Sequence, residues 1–198
     1  MCTEPILLMD TDIVSLMGRR KPPGGLRPWL LRVGINRLAL SYPVIAELKR
    51  GAHLKMRDDP ARALSIAKWT NQLIAMDFPF PEINADVAGV YANMTAVPSL
   101  RHLWTVQRDQ RSNRLGHDLM VSAVAIVHRM PILTTNIRDY REIDSHFPLP
   151  GVFHPMKAQW AVDPDFDVPL PHFDPNEADP HERNMPKLAL NEAAPASE

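Results

Sequence analysis

The chain has 198 residues (22.3 kDa), is 45% hydrophobic and 23% charged, and carries a net charge of -1. That is room for one globular domain with an appendage, in an ordinary soluble composition. One cysteine, Cys2, excludes an internal disulfide and a cysteine-based zinc site and favours a reducing, cytoplasmic setting.

At the N-terminus, Pro5–Met9 is apolar without alternation, as in a strand buried on both faces of a parallel sheet. Asp10 and Asp12 interrupt that run, and no basic residues precede it, so no secretory signal is expected. Thr11 or Asp12 is placed to cap a short helix over 13–17. Residues 18–28, with Arg19, Arg20 and Lys21 beside Pro22-Pro23-Gly24-Gly25, read as a loop. Residues 37–41 suggest a second strand. Val44, Ile45, Leu48 and Leu54 then share a helical stripe expected to break near Gly51. Asp58 is expected to cap a longer helix over 61–76, and 84–96 forms another helical stretch. Residues 101–114 are polar and basic. The clearest helix spans 116–130; its apolar run, near Val121–Val127, falls far short of the roughly 20 residues a membrane helix needs. Residues 131–134 form a further buried strand, Asn136 opens a turn into a short helix near Tyr140, and Val152-Phe153 suggests a last strand. This order predicts an α/β sandwich with a mostly parallel sheet.

Charge divides the chain. Residues 1–160 carry a balance of +6, whereas 161–198 carry -7 and seven prolines. An acidic, proline-rich segment with few large apolar residues orders poorly by itself. The domain is therefore placed at 1–156, and a flexible acidic tail at 157–198. The alternative is an acidic strip lying over a basic groove of the body or of a partner.

Acidic residues recur at the ends of the predicted elements. Asp10 follows the first strand, Glu47 lies on the helix after the second, Asp118 opens the long helix, and Asp139 follows the strand ending at Thr134. Ligands of open parallel sheets collect beyond the carboxyl ends of the strands. Clustered carboxylates stay ionised together only with a cation among them, and hard oxygen donors suit magnesium or manganese. Such a metal supports phosphodiester hydrolysis. Singly, each residue has a plainer reading. Asp10 is a helix cap, Glu47 a solvated helix residue, Asp118 a complement to its helix dipole, Asp139 a partner of Arg138 or Arg141, and Asn136 a turn residue.

Three segments taken together resemble a PIN domain, specifically the VapC-type toxins of bacterial toxin–antitoxin pairs. Ile6–Ile13 resembles the opening strand and its Asp-Thr-Asn turn. Ser41–Gly51 resembles the Ser-x-x-Thr-x-x-Glu-Leu-x-x-Gly segment. His117–Ala125 with Leu133–Tyr140 resembles the Asp-x-x-Ile-Ala-x-Ala helix and the Leu-Val-Thr-x-Asn-x-x-Asp-Phe block. The likeness covers about residues 5–156. It implies a PIN-like α/β/α sandwich and a metal-dependent endoribonuclease using Mg2+ or Mn2+, with Asp10, Glu47, Asp118 and Asp139 as catalytic metal ligands. Asn136 and Asp12 would be auxiliary. Asp12 stands where the pattern has Asn, and Val44 where it has Thr.

The resemblance also implies an RNA substrate (tRNA, rRNA or mRNA), a VapB-like antitoxin and a homodimer. The Ile45–Leu48 stripe is a candidate antitoxin surface. Basic residues suited to RNA phosphates are Arg19, Arg20, Lys21, Lys49, Arg50, Arg108, Arg111 and Arg114. His117, beside Asp118, is either an exposed histidine or one sharing a proton with it. Two other readings stay open: a PIN nuclease of RNA processing outside any toxin pair, and a PIN-fold binding module without chemistry.

Overall fold

The computed structural model describes residues 4–19, 21–105 and 117–179. Arg20 and the candidate RNA contacts Arg108, Arg111 and Arg114 lie outside the described residues.

The N-terminal run becomes β1 (Leu7–Met9), with no exposed surface, and leads directly into α1 (Thr11–Met17). Next come α2 (Leu26–Val33), a 3-10 turn, β2 (Leu38–Ala39) and the hairpin of α3 (Tyr42–Lys55) and α4 (Pro60–Ile74). After α5 (Ala85–Thr95) and a second 3-10 turn, α6 (Asp118–His128) leads to β3 (Ile132–Leu133), α7 (Ile137–Asp144), β4 (Val152–His154) and β5 (Gln159–Val162). The strand order is β2-β1-β3-β4-β5. The first four strands are parallel and β5 is antiparallel to β4. The chain therefore steps from β1 to β2 on one side and returns to β3 on the other, which puts a topological switch point between the carboxyl ends of β1 and β3. Helix α6 covers the sheet with Leu119, Val121, Ala123, Val124 and Ala125, all without exposed surface.

Local chemistry accounts for several boundaries. The Asp59 side chain accepts from the Arg62 amide at 3.0 Å with Pro60 next, so α4 is capped one residue beyond the expected Asp58. Asn84 caps α5 through the Val87 amide at 3.1 Å. Helix α3 runs straight through Gly51, whose roughly 1 kcal/mol cost relative to alanine is too small to break a helix packed on both sides of it. The stripe of Ile45 and Leu48 is taken up by the core: Leu48 is buried, and Ile45 packs against the cluster.

The largest departure from expectation concerns the C-terminal segment. After a 3-10 turn over Pro155–Lys157, Gln159–Val162 form the last strand, and 163–179 form an extended strap over α2. Trp160 packs on Phe153 with ring centres 4.9 Å apart. Phe173 is buried and lies 6.5 Å from Trp29, whose indole N–H donates to the Pro171 carbonyl at 2.9 Å. Arg27, buried, pairs with Asp179 at 3.3 Å, Arg32 with Glu177, and the Arg37 guanidinium donates to the Pro169 carbonyl at 2.8 Å. The folded body therefore extends to residue 179, well past 156. The acidic strip does lie over basic residues of its own chain, but among the described residues they are Arg27, Arg32 and Arg129. A few aromatic and arginine anchors order a segment whose average composition would not.

Gly24 and Gly25 let the strap approach closely. A Cβ on Gly24 would run into the Pro175 carbonyl oxygen, and one on Gly25, where φ is +73°, into that of Asp174. Gly24→Ala should lower stability by about 1–3 kcal/mol, read as a drop in the thermal midpoint. An unchanged midpoint would mean that the strap is not held at this point.

Candidate active site

The residues after β1 and β3 meet at the switch point. Asp10 ends β1 and is only 5% exposed. Its Oδ1 accepts from the Thr11 amide at 2.7 Å, and its Oδ2 from the Thr134 hydroxyl at 2.8 Å. It is thus a helix cap and a member of the cluster at once. Burial, followed by the charges of Asp12 and Asp118, pushes its carboxyl well above the usual range; the bonds from Thr134 and Thr11 oppose the shift.

The other acids converge through short bridges. Glu47, half-buried on α3, accepts from the Thr11 hydroxyl at 2.7 Å. The Asn136 side-chain amide donates to Asp118 at 3.1 Å and to Asp139 at 2.8 Å, tying α6 to α7. Asp139 therefore bonds Asn136 within its own turn. Asp12 Oδ2 accepts from the Thr135 amide at 2.7 Å and from the Thr135 hydroxyl, which locks the start of α1 to the loop after β3. Its Oδ1 is buried without a partner. Val44 has no exposed surface and belongs to the core. Thr11 and Thr134, which hold two of the acids, were not among the residues expected in the site; their only sequence signal is a hydroxyl beside an acid at a strand end.

His117 caps α6 at the rim of the cluster. Burial lowers its pKa first; the Glu47 charge raises it and the Arg50 charge lowers it. Its Nε2 is buried without a hydrogen bond. It is therefore a half-buried, neutral imidazole acted on by the charges of Glu47 and Arg50, and not an exposed histidine. Lys49, exposed, and Arg50, half-buried, follow Glu47 on α3.

Among the described residues, no three acidic, histidine or cysteine side chains already form a metal-binding group. The Asn136 amide occupies lone pairs of Asp118 and Asp139 that a cation would use. The donor chemistry nonetheless fits a divalent ion: the set is all oxygen, Asp10 is buried against two like charges, and one Asp12 oxygen is left unsatisfied. Zinc, which prefers nitrogen and sulfur donors, fits less well.

The strain on Asp10 has a measurable sign. A carboxyl whose folded pKa is raised contributes stability that is fully present below its unfolded value of about 4. That contribution is lost as pH rises through the folded value. Without metal, the wild-type protein should lose stability relative to Asp10→Asn between about pH 4 and neutrality, as read by denaturant unfolding. Parallel pH curves for the two proteins would contradict the assignment.

No protein-family model matches this chain, and neither does any curated protein. Solved structures do. A chain in the structure of FitAB bound to an IR36 DNA fragment aligns with 70% of this chain and 91% of its own length, at 19% identity and a TM-score of 0.50. A chain of VapBC2 from Rickettsia felis, bound to a promoter DNA fragment, aligns with 69% of this chain and 92% of its own, at 18% identity and a TM-score of 0.48. For VapBC-1 from nontypeable Haemophilus influenzae the values are 71%, 93%, 20% and 0.47. At such identities the FitAB likeness is one of fold, and this chain has the PIN-like α/β architecture, with a mostly parallel five-stranded sheet, that its motifs implied.

Proposed function

We propose that the chain is a divalent-metal-dependent endoribonuclease, the toxin of a toxin–antitoxin pair. The observation that carries this reading is the buried Asp10 carboxylate, flanked by Asp12 and Asp118 at the switch point of a PIN-like sheet. A structure keeps such mutually repelling acids for a positively charged ligand. The motifs resembling VapC-type toxins and the fold shared with a FitAB chain support the same reading.

Asp10, Glu47, Asp118 and Asp139 would hold the ion, Mg2+ or Mn2+. When bound, it would lower the pKa of a water and neutralise charge on a phosphodiester oxygen. The protein supplies the rest. Thr11 and Thr134 fix the rotation of Glu47 and Asp10. Asp12 holds the loop that carries Asn136. Asn136 sets the spacing of Asp118 and Asp139. The neutral His117 and the cation of Arg50 stand on the α3 side, where Lys49 extends the basic approach for RNA. A VapB-like antitoxin is the proposed partner, a homodimer the proposed assembly, and the cytoplasm the proposed location. Among the described residues, no helix is long and apolar enough to cross a membrane.

Incubating the purified protein with a broad RNA pool in Mg2+, in Mn2+ and in EDTA tests the proposal. Cleavage should require either metal and stop in EDTA. If well-folded protein binds neither ion, the alternative of a binding module without chemistry replaces this one.

A further inference from the structure

Two aromatic rings lie more than half in water at one cavity. Tyr42, the first residue of α3, is 59% exposed, and Phe80, in the segment between α4 and α5, is 54% exposed. With Pro81, Glu82 and Ile83 they line an open cavity of about 370 Å³, within the size range of small-ligand sites. The segment is fixed on both sides of Phe80. The Leu40 amide, just beyond β2, donates to the Pro79 carbonyl at 3.0 Å, and the His128 ring donates to the Glu82 carbonyl at 2.9 Å. Apolar residues exposed singly are ordinary, whereas a group of them around one cavity marks a binding site.

Its place in the fold says what would fill it. Tyr42 comes just after the carboxyl end of β2, the strand beside β1, so it stands at the edge of the sheet that carries Asp10. Glu47 is five residues further along α3, about 7.5 Å of helix rise. Lys49 is exposed and seven residues on, close to two full turns, so it shares the face of Tyr42. We propose that Tyr42 and Phe80 form a stacking platform for one unpaired base of the RNA beside the cleaved bond, with Lys49 on the adjoining phosphate. This rests on the reading of the chain as a ribonuclease. Unpaired bases are held by aromatic side chains on which they stack, whatever their sequence. The Glu82 carboxylate, an acceptor only, repels a phosphate and so leaves the cavity to the base. A second protein fits less well, because a stable interface takes about 20–30 residues a side, far more than the five that line this cavity.

The test is fluorescence-anisotropy binding of the full chain, in EDTA to prevent cleavage, to labelled oligo(A) and to a base-free ribose-phosphate chain of equal length. The wild type should prefer oligo(A). Tyr42→Leu and Phe80→Leu should each weaken oligo(A) binding about 10-fold and leave the base-free chain unchanged. Tyr42→Phe, which keeps a ring, should stay within about twofold of the wild type. Lys49→Gln should weaken both chains alike. Both rings are exposed, so their replacement leaves the core in place. Oligo(A) affinity unmoved by either leucine variant overturns the platform. So does a wild type that binds oligo(A) no better than the base-free chain. Leucine variants that change the sedimentation of the protein but not its RNA affinity assign the face to a second copy of this chain, and likewise overturn it. Metal-dependent cleavage without the preference for oligo(A) leaves the nuclease reading standing. The preference without metal-dependent cleavage overturns the nuclease reading and leaves a platform that binds RNA without cutting it.

Discussion

Asp118→Asn should reduce metal-dependent RNA cleavage by at least about 100-fold while leaving the metal-free protein as stable as the wild type or more so. The two effects have one cause. Asp118 is one of the two like charges that raise the Asp10 carboxyl. Asparagine removes that charge, relieves the repulsion in the absence of metal, and takes one anionic donor from the ion. Local geometry should survive, because the new side-chain carbonyl can still accept from the Asn136 amide, as Asp118 does at 3.1 Å. Cleavage rates on one RNA, with thermal unfolding in EDTA, check the pair of effects. Activity within tenfold of wild type would remove Asp118 from the site. Lost activity accompanied by lost stability would instead mean that α6 had been damaged.

The positions of the four acids could be read because each is tied to an element that the sequence announces: Asp10 follows β1, Glu47 lies in the second turn of α3, Asp118 opens α6 and Asp139 lies in the first turn of α7. Parallel topology then brings strand ends together without further information. Helix α2 was not legible. Pro22-Pro23-Gly24-Gly25 precedes it and Pro28 lies inside it, so 18–28 read as a loop. Pro28 is in fact the third residue of the helix, where the missing N–H has no intrahelical partner to lose. Thr11 and Thr134 were hidden for another reason. Each acts on a carboxylate carried by a different element, and such pairings exist only once the sheet is assembled. The strap was the hardest case. Its prolines and acids set the average, whereas Phe173 and three arginines more than 130 residues upstream decide the outcome.

A protein ending at Val162 should melt far below one ending at Asp179, by roughly 10–20 °C for a chain of this size. Removing 163–179 strips Phe173 from the core, and burying a phenylalanine contributes about 1.5–3 kcal/mol. It also takes the carboxylate from Arg27, which is 1% exposed and keeps only the carbonyls of Met17 and Arg19 as acceptors. Breaking a buried pair on one side costs about 3–5 kcal/mol. Asp179, 14% exposed, is not fully dry, and water admitted by the deletion would recover part of that cost. Together these effects come to about 3–6 kcal/mol. Exposure of Trp29, which stacks on Phe153 with centroids 5.9 Å apart, adds an apolar patch and a tendency to aggregate. Thermal midpoints of the two proteins within about 3 °C of each other would mean that the strap rests on the body without holding it. RNA binding by the shorter protein, measured well below its midpoint, separates stability from function. Glu177 and Asp179 pair with Arg32 and Arg27 on α2, a different helix from the α3 that carries Lys49 and Arg50. Affinity should therefore stay within about twofold in salt high enough to screen charges more than ~8 Å apart, and a marked gain would point to a strap that competes with RNA.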